Sequence, residues 1–345
     1  MKGKESMMNV GVIGLGMGRE HLRGYGLIPD VCILAVADLD EGRLRPAAEQ
    51  YHVPHAFTDY RELLALKELD LVSVCLPNYL HAPVTLEALK AGRHVLVEKP
   101  MAMSSAEAEA MIAAAKEQGR TLAVAMNYRW AFNPDTFYLK QLITQGKLGD
   151  IYYIRSVSLR RRTFLRGQKS WFSDKARSGG AAVMDMGPHM VDLAMWFASD
   201  YAPVQVSGVT RTAIMVDTDV DDFASALIRL KGGATVALES TWESFTRPGL
   251  SITVLGARGG AILNLGAPQG QRLTLFGEED NTLFEVAPVD IRLPAPPEAT
   301  VQEHVVHSIR AGRQPENSAE RGLAVMRALE AIYRSSATGR DVALV

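Results

Sequence analysis

Short hydrophobic runs alternate with helical segments through the first third of the 345-residue chain. Five runs predict buried strands, at residues 10–13, 32–37, 71–76, 95–97 and 122–125. Ser104 and Glu107 form a capping-box pattern that predicts the start of a helix, which Gly119 would end. Strands that alternate with helices are typical of βαβ units, so we expect a parallel sheet over residues 1–128.

The pattern changes after residue 128. Longer runs with one polar face predict strands at 152–159, 205–211, 223–230, 234–241 and 250–255, and such alternation is typical of antiparallel sheets. Helices are predicted at about 134–145 and, from an amphipathic pattern, at 319–338, with a proline-rich connector at 293–297. We therefore expect a second, α+β domain over residues 129–345.

Composition narrows the possible partners. The chain is 47% hydrophobic and 22% charged with a formal charge of −2, which is ordinary for a globular protein and carries no basic surface for nucleic acid or anionic membrane. We expect a small-molecule partner or a second copy. Cys32 and Cys75 both lie in apolar runs, which favours a reduced, cytoplasmic location. No apolar stretch predicts export or membrane insertion.

A glycine-rich turn follows the first strand and precedes a helix. Gly14 and Gly16 allow the backbone to turn tightly and approach a pyrophosphate, and Met17 lies at the start of the helix that would stabilise its charge. We therefore expect these three residues to contact a dinucleotide. The usual fingerprint places a third glycine at position 19, where Arg19 stands, and Gly18 comes one residue early.

Asp38 ends the second strand, 22 residues after Gly16. A carboxylate there can accept hydrogen bonds from the adenosine ribose, and a 2′-phosphate at 4 Å would be repelled by roughly 4 kcal/mol at an effective dielectric near 20. This favours NAD. Arg43 and Arg45 are close enough in sequence to receive a phosphate, so NADP stays possible. Alternatively, Asp38 caps the next helix.

Two further strand ends carry polar residues. Pro77, Asn78 and His81 follow the strand at 71–76, where Asn78 and His81 can reach the ribose or nicotinamide, although Asn78 can also be a helix cap. Glu98 and Lys99 follow the strand at 95–97 and precede a proline that ends it abruptly. Ligands bind outside these carboxyl ends in open α/β sheets, whereas the competing interpretation is a surface Glu-Lys pair.

A glycine pair at 179–180 precedes an apolar segment with polar residues. If the segment is helical throughout, Asp185, His189, Asp192 and Trp196 share one stripe. Alternatively, Pro188 is the first helical residue and Asp185 lies in the preceding turn. Burying two carboxylates and an imidazole costs free energy, which favours a functional role for this stripe, but an Asp-His pair can also be a core hydrogen bond.

Together these motifs resemble the glucose-fructose oxidoreductase/inositol dehydrogenase (Gfo/Idh/MocA) family. The resemblance rests on Gly14-Leu15-Gly16 with His21, Pro77-Asn78 with His81, Glu98-Lys99-Pro100, Gly179-Gly180 followed by Asp185 and His189, and Ala331-Ile332-Tyr333-Arg334-Ser335-Ser336 with Gly339-Arg340. It implies a doubly wound Rossmann domain, then a domain with a large open sheet that often forms homodimers or homotetramers. It also implies a dehydrogenase that oxidises a secondary hydroxyl of a sugar or cyclitol with NAD or NADP.

The resemblance also assigns roles. It makes Lys99 the amine that hydrogen-bonds the reacting oxygen, His189 the general acid/base, and Asp185 the residue that orients His189 or holds a neighbouring hydroxyl. We expect the amine and the imidazole to converge on one carbon beside the nicotinamide. Glu98, Asn127 and Arg129 complete the predicted cofactor contacts. The histidines lack metal-ligand spacing, so we expect no metal.

Several questions stay open from the sequence. Arg160-Arg161-Arg162, Arg166, Trp171 and Asp192 are substrate candidates, and the arginines would suit a uronate or sugar phosphate, although charge runs usually face water. Two other functions fit the same motifs. One is redox-neutral, glycosidase- or epimerase-like chemistry with a tightly held, recycling NAD, and the other is a regulator that senses dinucleotide without catalysis.

Overall fold

The computed structural model describes residues 7–161, 170–293 and 298–344. Among these residues the strands are β1 (Met8–Ile13), β2 (Val31–Ala37), β3 (His55–Phe57), β4 (Leu71–Val74), β5 (His94–Val97), β6 (Leu122–Val124), β7 (Ile151–Leu159), β8 (Pro203–Arg211), β9 (Phe223–Leu230), β10 (Thr235–Thr241), β11 (Gly249–Gly256), β12 (Gly259–Asn264), β13 (Leu273–Glu279), β14 (Thr282–Val286) and β15 (Val342–Ala343).

The described α-helices are α1 (Gly18–Tyr25), α2 (Glu41–Gln50), α3 (Tyr60–Leu64), α4 (His81–Lys90), α5 (Ser105–Glu117), α6 (Tyr128–Ala131), α7 (Asp135–Thr144), α8 (Lys175–Ser178), α9 (Gly187–Ala198), α10 (Val301–Arg310) and α11 (Ala319–Thr338). The Ser104 hydroxyl accepts from the backbone N–H of Glu107, as the capping-box pattern predicts. No described helix is long and apolar enough to span a membrane.

The chain divides into two units. The first comprises Met1–Met126 and Glu298–Leu323, and the second comprises Asn127–Pro297 and Ala324–Val345. The predicted boundary at residue 128 lies two residues beyond this division, but the prediction placed all of 298–323 in the second domain. That segment belongs to the first unit because Val305 and Val306 of α10 are buried in its core. An amphipathic pattern shows that a helix has an apolar face but not which core that face joins.

The first unit is a parallel sheet in the order β3-β2-β1-β4-β5-β6 among the described strands. This is the order of dinucleotide-binding folds, in which the chain reverses direction across the sheet between β1 and β4. Fully buried runs such as β4 and the apolar part of β5 form its centre, as their sequences predict. The predicted doubly wound parallel sheet is confirmed, and the three-residue β3 is an addition.

The second unit is a mixed sheet in the order β14-β13-β12-β11-β7-β10-β9-β8-β15. Among the described pairs, β7 and β10 run parallel and the other neighbours run antiparallel. The hydroxyl of Ser156 on β7 donates to the carbonyl of Met190, so this face carries α9. The predicted large, mainly antiparallel sheet is confirmed, and β12, β13, β14 and β15 extend it beyond the predicted strands.

Candidate active site

The glycine turn of the first unit fits a pyrophosphate despite its altered spacing. Gly14 has φ +86°, and a Cβ there would lie 2.5 Å from the carbonyl oxygen of Cys75. A Cβ on Gly18 would lie 2.7 Å from Cγ1 of Val12, so this glycine supplies the close helix–strand contact that the fingerprint assigns to a third glycine. A Cβ on Gly16 would meet its nearest described neighbour only at 3.8 Å, which leaves its backbone open to a ligand.

Asp38 is tied to that turn. Its Oδ2 accepts from the backbone N–H of Leu15 at 2.7 Å, and its Oδ1 accepts from the N–H of Asp40 at 2.8 Å. Asp40, rather than Asp38, caps α2, so the alternative of Asp38 as the helix cap is wrong. Arg43 Nη2 lies 3.3 Å from Asp38 Oδ1, whereas Arg45 forms an ion pair within its own helix.

A pocket of about 520 Å³ opens beside Asp38 in the first unit. Its walls are mainly apolar and include Ile13, Ala37, Leu39, Leu76 and Leu80. An apolar slot next to a carboxylate at the end of β2 suits an adenine and its ribose. The residues present therefore fit a dinucleotide, with the adenosine in this pocket and the pyrophosphate at the glycine turn.

The polar residues that follow β4 lie within a tightly bonded turn. Pro77 precedes a 3₁₀ turn over Asn78–Leu80, and Asn78 is buried. Both ring nitrogens of His81 lie 2.7 Å from backbone carbonyl oxygens, those of Leu76 and Pro100. A neutral imidazole has one N–H and can donate to only one of these carbonyls, but both nitrogens face the protein's own backbone. The contact of His81 with a cofactor stays a prediction. Burial lowers the pKa of His81, and the two carbonyls oppose that effect.

Glu98 and Lys99, which follow β5, differ in burial and in hydrogen bonding. Glu98 is 6% exposed, and its Oε1 lies 3.0 Å from Nε2 of the buried His21. Its Oε2 accepts from the backbone N–H of Lys99 at 3.0 Å. Glu98 is thus bonded inside the first unit rather than presented to a cofactor as predicted. Lys99 is partly exposed between two buried residues, Glu98 and Pro100.

In the second unit, a π-helical turn over Ala182–Met186 precedes α9, and Pro188 lies in the first turn of that helix. Asp185 therefore lies before the α-helix, as one alternative predicts, but in a π-helical turn that is continuous with it, and the first α-helical residue is Gly187 rather than Pro188. Asp185 Oδ2 accepts from Arg160 Nη1 at 2.9 Å and from the indole Nε1 of Trp242 at 3.0 Å. Two donors thus hold this carboxylate. Its predicted action on His189 stays a prediction.

His189 is 8% exposed and stacks on Tyr128, with ring centroids 4.0 Å apart and an interplanar angle of 5°. Burial raises the pKa of Tyr128 to about 12, so its hydroxyl is protonated at neutral pH. Stacking over the whole ring fixes the plane of the imidazole, which a general acid/base requires. The candidate acid/base of the second unit is thus pre-oriented.

Arg129 and Asp192 are a buried ion pair instead of ligand contacts. Arg129 has a side-chain exposure of 0%, and it donates from Nη2 to Asp192 Oδ1 at 2.7 Å and from Nε to Oδ2 at 3.2 Å. The Tyr201 hydroxyl donates to the same carboxylate at 2.8 Å. The ion pair gives both residues a structural role, and the predicted contacts of Arg129 with cofactor and of Asp192 with substrate stay predictions. Neighbouring Asn127 has a buried side-chain oxygen with no hydrogen-bond partner among the described residues.

A second pocket, of about 530 Å³, lies within the second unit. Its lining is mixed: Tyr128, Ser158, Arg160, Arg161 and Asn264 supply polar groups among apolar residues such as Met186 and Leu250. Arg162 and Arg166 lie outside the described residues. Trp171 stacks on Phe172 at 3.7 Å. No group of three described His, Cys, Asp or Glu side chains could hold a metal ion.

Sequence reasoning missed Tyr128 and Trp242. Tyr128 lies between Asn127 and Arg129, both of which had been selected, so an aromatic ring in that tripeptide was the available signal. Trp242 directly follows β10 and is fully buried. A buried indole N–H needs an acceptor, but no pattern in the sequence identifies Asp185 as that acceptor.

Comparisons with known proteins find an N-terminal and a C-terminal domain of one family in this chain. Residues 8–126 match the family described as "Oxidoreductase family, NAD-binding Rossmann fold" (GFO_IDH_MocA), and residues 136–262 match the GFO/IDH/MocA C-terminal domain. D-glucoside 3-dehydrogenase of Escherichia coli strain K12 is 36% identical over 195 residues, which cover 55% of this chain and 54% of that protein. The chain therefore aligns with about half of that relative.

Two further matches extend over more of the chain. Myo-inositol 2-dehydrogenase of Thermotoga maritima is 28% identical over 259 residues, which cover 73% of this chain and 74% of that protein. A crystal structure of GenD2 from gentamicin A biosynthesis, in complex with NAD, superposes with a TM-score of 0.82 and 27% identity. That superposition covers 99% of this chain and 97% of the other.

Proposed function

Because this chain belongs to the GFO/IDH/MocA family of oxidoreductases, we propose that it transfers a hydride between a nicotinamide and a secondary hydroxyl of a sugar, cyclitol or sugar derivative. The observation that carries the proposal is the place of Glu98-Lys99-Pro100. These residues directly follow β5 on the sheet that also carries the glycine turn and Asp38, which supports a place for the Lys99 amine at the ligand-binding edge.

Lys99 and His189 have complementary chemistry. Removing a hydride from a carbinol carbon requires that the hydroxyl also loses its proton. The His189 imidazole would accept that proton, a step that typically contributes roughly 10²–10⁴-fold. The Lys99 ammonium would hydrogen-bond the oxygen and stabilise the negative charge that develops there. Asp185 would hold a neighbouring hydroxyl or orient His189.

The first unit supplies the coenzyme contacts. Gly14, Gly16 and Met17 would bind the pyrophosphate, and Asp38 the adenosine ribose. When bound, NAD supplies the carbon that accepts the hydride. Asp38 favours NAD, because a 2′-phosphate would meet its carboxylate. Arg43 lies close enough to Asp38 to offset part of that repulsion, so NADP is the second coenzyme to assay.

The pocket of the second unit, with its mixed polar and apolar lining, is the proposed sugar site. Ser158 and Asn264 offer hydrogen bonds to hydroxyl groups, and Tyr128 offers an aromatic face next to His189. Arg160 and Arg161 extend the proposal to sugars that carry a carboxylate or phosphate. Relatives named for a glucoside and for myo-inositol support glucosides and cyclitols as the first compounds to assay.

The test is NADH formation at 340 nm with glucosides, myo-inositol, other polyols and uronates, each with NAD and with NADP. Lys99→Met should bind NADH with a near-normal Kd and lose nearly all turnover. Lys90→Met, an exposed lysine at the end of α4, is the matched control and should retain both. Undiminished turnover in Lys99→Met would remove Lys99 from the mechanism.

The predicted homo-oligomer and cytoplasmic location remain predictions. The face of the second unit's sheet opposite α9 supports the predicted homo-oligomer. Arg155 alternates with Ser156, so its side chain lies on that opposite face, and β-sheet pairing places Leu227 and Ile262 in the same row. These two are 50% and 38% exposed. We propose that a second copy covers this face. Both cysteines are free thiols.

A further inference from the structure

Four buried polar side chains form one continuous hydrogen-bonded series inside the first unit. Tyr25 Oη lies 2.8 Å from Ser73 Oγ, which lies 2.8 Å from His21 Nδ1. His21 Nε2 in turn lies 3.0 Å from Glu98 Oε1. Tyr25, Ser73 and His21 are at most 2% exposed. The proposed hydride transfer uses none of these three residues, so their arrangement needs an explanation of its own.

The hydrogen bonds of this series have a direction. A carboxylate can only accept, so with a neutral imidazole His21 Nε2 carries the proton and Nδ1 accepts. Ser73 then donates to Nδ1, and the Tyr25 hydroxyl donates to Ser73. Every donor points towards Glu98, and hydrogen bonds aligned in this way polarise and strengthen one another.

The series ends at the backbone of Lys99. The second oxygen of Glu98 accepts from the Lys99 N–H at 3.0 Å. On the other side of Lys99, the carbonyl of Pro100 lies 2.7 Å from His81 Nδ1, which donates to it in the tautomer that carries its proton on Nδ1. The residues before and after Lys99 are therefore tied to two buried histidines, one on α1 and one at the start of α4.

A nucleophilic role for Ser73 does not fit. Serine, histidine and glutamate bonded in this order resemble a hydrolase triad. Ser73 is 0% exposed within β4, however, and the Tyr25 hydroxyl covers its Oγ. A substrate carbonyl could not reach that oxygen, so the series is not a second active site.

We propose that His21 and His81 are positioning residues that hold the backbone on both sides of Lys99 and so fix where its amine projects. This inference rests on the proposed role of Lys99. Hydride transfer requires reacting groups in a narrow geometry, and a displacement of about 1 Å can cost roughly 100-fold in rate. The histidines touch neither substrate nor coenzyme in this proposal and act only through the Glu98-Lys99-Pro100 backbone.

Replacing each histidine by glutamine or by asparagine tests which of its ring nitrogens makes the important hydrogen bond. A glutamine places its amide near the position of Nε2, and an asparagine places its amide near that of Nδ1. At position 21 the bond towards Lys99 uses Nε2, so His21→Gln should be mild and His21→Asn severe. At position 81 that bond uses Nδ1, so the order reverses and His81→Gln should be severe. A general loss of packing would rank Gln and Asn alike at both sites.

The severe variants should lose roughly 10- to 100-fold in kcat, with KM and the Kd for NADH almost unchanged. Thr85→Val is the matched control for a change at a buried polar site. Thr85 is 0% exposed on α4, and its hydroxyl has no hydrogen-bond partner among the described residues, so it takes no part in the hydrogen bonds to the Glu98-Lys99-Pro100 backbone. Its kcat should stay near that of the wild type.

A second measurement does not depend on turnover. Reductive ¹³C-methylation labels lysine amines for NMR, and the Lys99 signal is assigned by its absence in Lys99→Arg. That signal should shift in His21→Asn and His81→Gln and stay in place in the mild variants. Equal losses for Gln and Asn at both sites, with the signal unmoved, would overturn the positioning role. If no compound yields NADH with the wild type, the proposed function fails while this measurement still decides the inference.

Discussion

Removing the Arg129 guanidinium should destabilise the second unit without weakening coenzyme binding. Arg129 is fully buried, and both of its bonds to the Asp192 carboxylate lie inside that unit. Arg129→Met would leave a carboxylate that is 3% exposed without its countercharge. Breaking a buried pair by removing one partner typically costs about 3–5 kcal/mol, because the remaining charge is uncompensated.

The expected effect is large enough to measure in a thermal melt. For a unit of this size, 1 kcal/mol shifts Tm by roughly 2–4 °C, so Arg129→Met should melt at least about 6 °C lower. The double variant Arg129→Met/Asp192→Asn removes both charges and should recover most of that loss. A fluorescence titration should give all three proteins a similar Kd for NADH.

The opposite pattern would refute this reasoning. If Arg129→Met melted like the wild type but bound NADH tenfold more weakly, Arg129 would be a coenzyme contact, as its place in the sequence suggested. If the double variant were no more stable than the single one, the loss would come from packing rather than from the unpaired carboxylate. Each result assigns Arg129 a different role.

Two further predictions concern single positions. At Gly180, where φ is +147°, the Cβ of an alanine would lie 1.9 Å from the Tyr333 hydroxyl. Gly180→Ala should therefore lower the free energy of unfolding, measured in urea, by about 3 kcal/mol. Gly233→Ala is the control: φ there is +99° and the space around it is open, so its free energy of unfolding should fall by less. The hydrogen bond from His304 lowers the pKa of Glu298 from 4.5 to about 2, so its stabilisation is present above pH 4.5 and lost as the pH falls towards 2. The Tm difference between the wild type and Glu298→Gln should therefore be present at pH 5 and shrink as the pH falls below 4.5; a difference that stays the same from pH 5 to pH 3 would contradict the assignment.

Local patterns in the sequence predicted the elements that position the site. The amphipathic run at 319–338 is helical over α11, whose limits are Ala319–Thr338. The apolar run before Glu98 is a buried strand that delivers Lys99 to the sheet edge. Periodicity and capping are properties of neighbouring residues, so they can be seen without coordinates.

Pairings between distant positions could not be predicted in this way. Arg129 and Asp192 are 63 positions apart, and His21 and Glu98 are 77 apart. Strand ends, a helical stripe and the family resemblance predict ligand contacts or motif roles for these residues. The fold brings each of these residues into a hydrogen bond with its partner inside a core. Only the coordinates distinguish a polar residue that is bonded within the protein from one that is available to a ligand.

The glycine turn shows another limit of prediction from a sequence motif. The fingerprint demands small residues for contacts, and the sequence reveals only their spacing. Gly18 makes the close contact to Val12 one residue earlier than the fingerprint places it. The physical requirement for a small residue is therefore met although the motif is not.

Transfer of deuterium from substrate to coenzyme tests the central claim most directly. Perdeuterated myo-inositol or glucoside, whichever the 340 nm assay accepts, would be incubated with NAD, and the mass of the released NADH measured. The account predicts one deuterium atom per NADH, formed in step with a ketone, and none in Lys99→Met. Deuterium that stays with the sugar while no NADH is released would instead indicate redox-neutral chemistry. Binding of NADH, with no transfer of deuterium from any compound to NAD, would indicate a sensor.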